Sequence, residues 1–237
     1  LDTEHGKLIY ENIDINESPN ILFEEIIQAQ EEDFASQLSL YWKTKGQYKG
    51  YLCCAQSKDI EDIIEEGMRQ NPSNISSINS YIFNSKLKAI KQFCEQQIKI
   101  YVEEVISPKD NLDFYITQSW LNITKPGKYH HDHYHSNSII SGVFYISVEE
   151  DDRITFADPN TQIKESISFV SKEYHAWNSS KWFFPVNTNE LILFPSWLAH
   201  EVEPNKKATT DRISISFNTF VRGILGSKNS STELILK

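Results

Sequence analysis

The residues best equipped for chemistry in this 237-residue chain crowd into one stretch, His130-His131-Asp132-His133-Tyr134-His135. Imidazole and carboxylate are the donors favoured by iron, zinc and other first-row metals. Lys125-Pro126-Gly127 before the cluster signals a turn, and the apolar, β-branched run after it, SIISGVFYIS, reads as a strand. Several side chains can therefore aim at one point. Downstream, His200 follows the apolar run Leu191-Ile192-Leu193-Phe194-Pro195 in a polar turn. Arg212 comes twelve positions after His200 (212 − 200) and opens a strand in which Ile213, Ile215 and Phe217 alternate with Ser214, Ser216 and Asn218. A hairpin between them returns the second strand beside the first, so His200 and Arg212 can face one cavity.

A mononuclear non-haem Fe(II) site holds its metal on one face with three side chains and leaves the other positions open. A cosubstrate such as 2-oxoglutarate fills two of those positions and O2 a third. The distal carboxylate then needs a fixed cation, and the guanidinium fork of an arginine matches it bidentately. The residue types leave two ligand sets open: His133 and His135 with His200, or His130 and Asp132 with His200. The second supplies a carboxylate that offsets one charge of the metal; the first does not. Competing readings are a cupin-like metal-binding protein or a Zn/Mn enzyme without oxygenase activity, neither of which needs Arg212. A structural protein with a degenerate site is a third reading, and it predicts no metal dependence.

These groups need a scaffold, and the patterning suggests an α+β chain. Ser18 or Asn20 caps a helix through Leu22, Ile26, Ile27 and Phe34. Tyr41 to Cys54 reads as loops or short strands. Ser57 caps a second helix with Ile60, Ile63, Ile64 and Met68 at helical spacing, ended near Gly67, and Asn71-Pro72-Ser73-Asn74 breaks the chain. The longest helix runs from about Ser80 to Ile106, with Ile90, Cys94, Ile98 and Tyr101 on its apolar face. Beyond Pro108 short strands separated by turns predict an antiparallel sandwich or barrel, KESISFVS among them. The expected organisation is an N-terminal helical region over 1–110, a β core over 111–224 and a loosely held tail over 225–237. EYHAWNSSKW, with His175 and Trp177, reads equally as a lid within 171–184 or as a surface hairpin.

A formal net charge of −10 without basic runs argues against nucleic-acid and anionic-membrane binding. No apolar run is long enough for a transmembrane helix, and the first residues do not have the pattern of a signal peptide. Cys53, Cys54 and Cys94 are too few and too oddly spaced for a disulfide framework, so they read as buried thiols in a cytoplasmic protein. Exposed strand edges allow a homodimer.

Residues from about Phe114 to Phe220 resemble the 2-oxoglutarate/Fe(II)-dependent dioxygenase superfamily, in its prolyl-4-hydroxylase-like branch. They are most similar to a group of oxygenases from marine bacteria and phages. The matching pieces are Ser119-Trp120-Leu121-Asn122, His133-x-His135, Ser141-Gly142-Val143-Phe144-Tyr145 and Asp158-Pro159. Phe194-Pro195-Ser196-Trp197-Leu198 with His200, and Arg212 to Asn218, complete the match. The resemblance implies a double-stranded β-helix (jelly-roll) core with N-terminal helices packed against it. It also implies Fe(II), 2-oxoglutarate and O2, and hydroxylation of an unidentified small-molecule or peptide substrate with release of succinate and CO2. In a phage-encoded protein the compartment would be the host cytoplasm. The resemblance puts His133, His135 and His200 at the metal, Arg212 and Ser214 at the cosubstrate carboxylate, and Asn122 and Tyr145 in the cavity. Two positions depart from the group: Asn189 stands where a turn Gly is usual, and Asn160 where Arg often follows Asp-Pro.

Overall fold

The computed structural model describes residues 42–43, 54–161, 166, 169–176 and 178–237. The expected helix from Leu22, the stretch from Tyr41 to Cys54 apart from residues 42–43 and Cys54, and Trp177 lie outside them. The elements begin with β1 (Trp42–Lys43), helix α1 (Cys54–Glu66) and a short hairpin, β2 (Met68–Gln70) and β3 (Ile75–Ser77). Helix α2 (Lys88–Tyr101) follows, then β4 (Asp113–Thr124), β5 (His130–His133), β6 (Ile140–Ser147) and β7 (Arg153–Ala157). The series ends with β8 (Lys181–Pro185), β9 (Leu191–Pro195), β10 (His200–Val202), β11 (Arg212–Leu225) and β12 (Leu234–Leu236).

Two antiparallel sheets form the core. The larger runs β1-β9-β6-β11-β4-β3-β2, with β12 against β11, and the smaller runs β5-β10-β7-β8. This is the antiparallel sandwich that the short strands predict, arranged as the double-stranded β-helix that the resemblance implies. Helix α2 covers one face of the larger sheet: Ile90, Cys94, Ile98 and Tyr101 join Leu121, Phe144, Leu193, Ile215 and Phe217 in one buried cluster. Phe93 meets Phe144 edge-on at 6.0 Å. Alternation along β11 therefore sends Ile215 and Phe217 into the helix-covered core and leaves Arg212, Ser214 and Ser216 lining a cavity on the opposite face. Gly142, opposite Phe217 in the ladder, makes room for that ring, since a Cβ there would sit inside it.

Several elements depart from the sequence reading for local reasons. The long helix from Ser80 is divided into a 3-10 turn (Ile82–Asn84), α2, and a π-helical turn (Val102–Ile106). Leu87 breaks it with a left-handed φ of 57°, while the Asp59 carboxylate on α1 accepts the Leu87 N–H at 2.7 Å. A cap supplied by another helix is invisible to periodicity. Helix α1 starts three residues before Ser57 (57 − 54), so Ser57 lies inside it and is not its cap. Asn71 to Asn74 form the turn between β2 and β3, which extend the larger sheet through β4. Within KESISFVS the described residues form no strand, and Phe169 and Val170 are exposed. The tail folds back instead of trailing: Leu234–Leu236 pair with Gly223–Leu225. Cys94 is fully buried, and burial pushes its thiol pKa up. Among the described residues no helix is long and apolar enough to cross a membrane.

Candidate active site

The cavity lies between the two sheets, its walls formed by β4, β6 and β11 on one side and by β5, β7 and β10 on the other. Strand pairing sets His133 directly opposite His200. Between that pair and the next, His130 opposite Val202, β5 advances three residues and β10 two. This bulge lets His130 and His133 both face the cavity, which strict alternation forbids. His135 arrives from the loop after β5, its N–H donating to the Ser196 carbonyl at 2.9 Å. Ser196 is fully buried, and its hydroxyl also bonds Ser138 and Ser141 at 2.7 and 2.8 Å.

His133, His135 and His200 each present a ring nitrogen within 4.8 Å of the other two. Two of their tautomers follow from backbone partners. The His133 Nδ1–H donates to the His131 carbonyl at 2.7 Å, and the His200 Nδ1–H to the Leu198 carbonyl at 3.0 Å. A carbonyl can only accept, so in both rings Nε2 keeps its lone pair. Burial keeps the rings neutral at physiological pH. It lowers His135 to about 4, with the adjacent His133 adding to the effect. It lowers His133 as well and holds His200, 5% exposed, well below its usual value. Phe194 lies 4.6 Å from the His200 ring and Phe156 6.1 Å, a dry wall behind it. Asp132 is elsewhere: it lies on the exposed side of β5, where the Lys181 ammonium reaches it at 3.3 Å. It belongs to none of the His/Cys/Asp/Glu clusters among the described residues.

The larger sheet supplies the other expected residues as a row. Ser214 pairs with Asn122 on one side and with Tyr145 on the other, and Arg212 lies one cavity-facing position along β11. The Asn122 amide donates to Ser216 at 2.9 Å. Arg212 is 7% exposed, and one of its terminal nitrogens pairs with Asp152, 4% exposed. Its Nε and Nη1 are buried without a partner, as is the Tyr145 hydroxyl. Burial pushes the Tyr145 phenol up, so it stays a neutral donor. Three unpartnered donors in the cavity that holds the imidazole triad suit an anionic ligand group, because each costs stability until an acceptor arrives. The residues present thus fit a metal and a dicarboxylate cosubstrate.

Asp152 is the member of this site that sequence reading missed. It sits in the acidic run Glu149-Glu150-Asp151-Asp152, which looks like a solvated turn. Its only signal was its place in front of an apolar strand. Asn160 lies exposed in a turn where its N–H donates to the Asp158 carboxylate at 2.7 Å, away from the cavity. His175 lies in an exposed turn whose amide donates to the Asn178 side chain at 2.8 Å. Asn189 adopts a left-handed φ of 65°, as its replacement of a turn glycine requires.

Fold and site together define a double-stranded β-helix with a histidine cluster and a buried cation in one cavity. Residues 118–218 match the family described as "Putative 2OG-Fe(II) oxygenase". Among curated proteins none matches the chain by sequence. A prolyl-4-hydroxylase from Pseudomonas putida superposes with a TM-score of 0.50 at 13% identity, covering 81% of this chain and 98% of its own. The carbocyclase SnoK of nogalamycin biosynthesis, described as non-haem and α-ketoglutarate dependent, gives 0.58 at 10% identity over 84% and 88%. HygX from Streptomyces hygroscopicus, solved with nickel, 2-oxoglutarate and hygromycin B, gives 0.50 at 10% identity over 80% and 86%. Over residues 118–218 the chain is thus similar to the 2-oxoglutarate/Fe(II)-dependent oxygenases, and its fold is the one these solved structures share. The family's description names Fe(II) and 2-oxoglutarate, the pair that the cavity's donors suit.

Proposed function

We propose that this oxygenase hydroxylates a small-molecule or peptide substrate, with His133, His135 and His200 as its metal ligands. The observation that carries the ligand set is the free Nε2 of His133 and His200 in a cavity shared with His135. Arg212 and Tyr145 bind the distal carboxylate of 2-oxoglutarate through their unpartnered donors, and Ser214 and Asn122 flank it. Bound Fe(II) with 2-oxoglutarate supplies O2 activation coupled to decarboxylation, giving succinate and CO2. The chain contributes fixed neutral imidazoles, a preset cation and an apolar wall at Phe156 and Phe194 that excludes water. Residues 111–224 form the catalytic core, and helix α2 before it buttresses that core. A cytoplasmic compartment and a homodimer complete the reading.

The test is anaerobic titration with Fe(II) and then 2-oxoglutarate, following the visible charge-transfer absorption. The band should require both additions, weaken sharply in Arg212→Ala, disappear in His135→Ala and persist in Asp132→Ala. A band lost in Asp132→Ala and kept in His135→Ala would overturn the ligand set.

A further inference from the structure

The strand that carries His133 holds a second imidazole triad. His130, His131 and His133 also present ring nitrogens within 4.8 Å of one another. The His130 and His133 rings stack at 4.4 Å, and His131 lies 5.2 and 5.3 Å from them. The bulge against β10 permits this, by gathering side chains that a regular strand would send to opposite faces. We propose that these three residues form a second divalent-cation site, of the zinc class, that is mutually exclusive with the inner site.

The donor set selects the class of metal. Imidazole nitrogens suit first-row divalent ions, and zinc, nickel and copper bind ahead of ferrous iron in the usual divalent order, at this triad as at the inner one. Three histidines plus a water is an arrangement zinc accepts readily. Asp132, the nearby group that would favour a harder ion, is drawn away by Lys181. Access also differs between the two triads. His131 is exposed and β5 is an edge strand, whereas the inner triad includes the buried His200. A cation arriving from solvent meets the outer site first.

Exclusivity comes from His133. Its Nδ1 proton is committed to the His131 carbonyl at 2.7 Å, so Nε2 is its single lone pair. One lone pair serves one metal. A cation held by the outer triad therefore takes His133 from the inner one and disables it without entering the cavity. This consequence rests on the ligand set proposed above; the outer site itself does not.

The test is Zn(II) binding by competition with a chromophoric chelator, using the metal-free protein and three variants. Wild type should bind one equivalent tightly. His135→Ala should still bind one equivalent through the outer triad, and His131→Ala one through the inner triad. The double variant should lose at least 100-fold in affinity. A 100-fold loss in His135→Ala alone would refute the outer site and leave the inner reading intact. Loss in His131→Ala with none in His135→Ala would uphold the outer site and sink the inner set. Two tight equivalents in wild type would overturn exclusivity. Circular dichroism of each variant separates unfolding from ligand loss.

Discussion

Replacing Arg212 by Met separates what its ion pair does for the fold from what its free donors do for the site. The change leaves Asp152, 4% exposed, as a buried carboxylate without its cation. Breaking a buried pair from one side costs about 3–5 kcal/mol. Asp152 keeps two donors, the Glu149 amide at 2.9 Å and the Asn205 side chain at 3.3 Å, which places the loss near the lower end. Adding Asp152→Asn removes the stranded charge and should restore most of that stability. Cosubstrate affinity should behave differently. Charge-assisted hydrogen bonds to a carboxylate are worth about 1.5–3 kcal/mol, roughly 10- to 150-fold in Kd, and both Arg212→Met proteins should lose that much. Asp152→Asn alone should keep or tighten 2-oxoglutarate binding, because a competing carboxylate has gone. Urea unfolding gives the first comparison and calorimetric titration of the metal-loaded protein the second. A loss under 1 kcal/mol in Arg212→Met, or unchanged 2-oxoglutarate affinity in the double variant, would refute the reasoning.

Other expectations follow from single contacts. Gly142→Ala drives a methyl into the Phe217 ring and should cost about 1–3 kcal/mol in chemical denaturation, partly recovered by Phe217→Leu. Ser119→Ala strands the Phe83 N–H, now donating to its hydroxyl at 2.9 Å, and should lose about 1–3 kcal/mol with no change in metal affinity. Asn189→Gly relieves a φ of 65° and removes a buried oxygen without a partner; a melting temperature unchanged or raised is expected, and a fall would contradict it. The metal-free protein should lose stability as pH falls from about 6.5 towards about 4. Over that window the unfolded chain takes up the His135 proton and the folded one resists it. A stability curve flat across that range, or one rising toward acid, would contradict the burial of these rings.

The β core was legible because alternation and turn residues are local signals, and β11 alternates from Arg212 to Asn218 before its register shifts. The site was legible through residue type: imidazoles and a distant arginine have few reasons to recur in that order. The division of the long helix was not, because the group that caps Leu87 belongs to another element. Nor was Asp152, whose partner lies sixty positions away and whose neighbours are acids facing water. The ligand question stayed open for a similar reason. Sequence spacing treats His130-x-Asp132 and His133-x-His135 alike, whereas the exposed position of Asp132 against Lys181 is a tertiary feature that supports the proposed set.

The two faces of β11 divide the protein's tolerance of change by residue parity. Substitutions at 213, 215 and 217 meet the helix-backed core and should register in melting temperature. Those at 214 and 216 meet the cavity and should register in Kd and turnover, with 212 registering in both because its partner is buried. One strand can thus be rewritten for a new substrate without renegotiating the fold, so long as its insertions come in pairs. A single added residue would exchange the two faces and lose both at once.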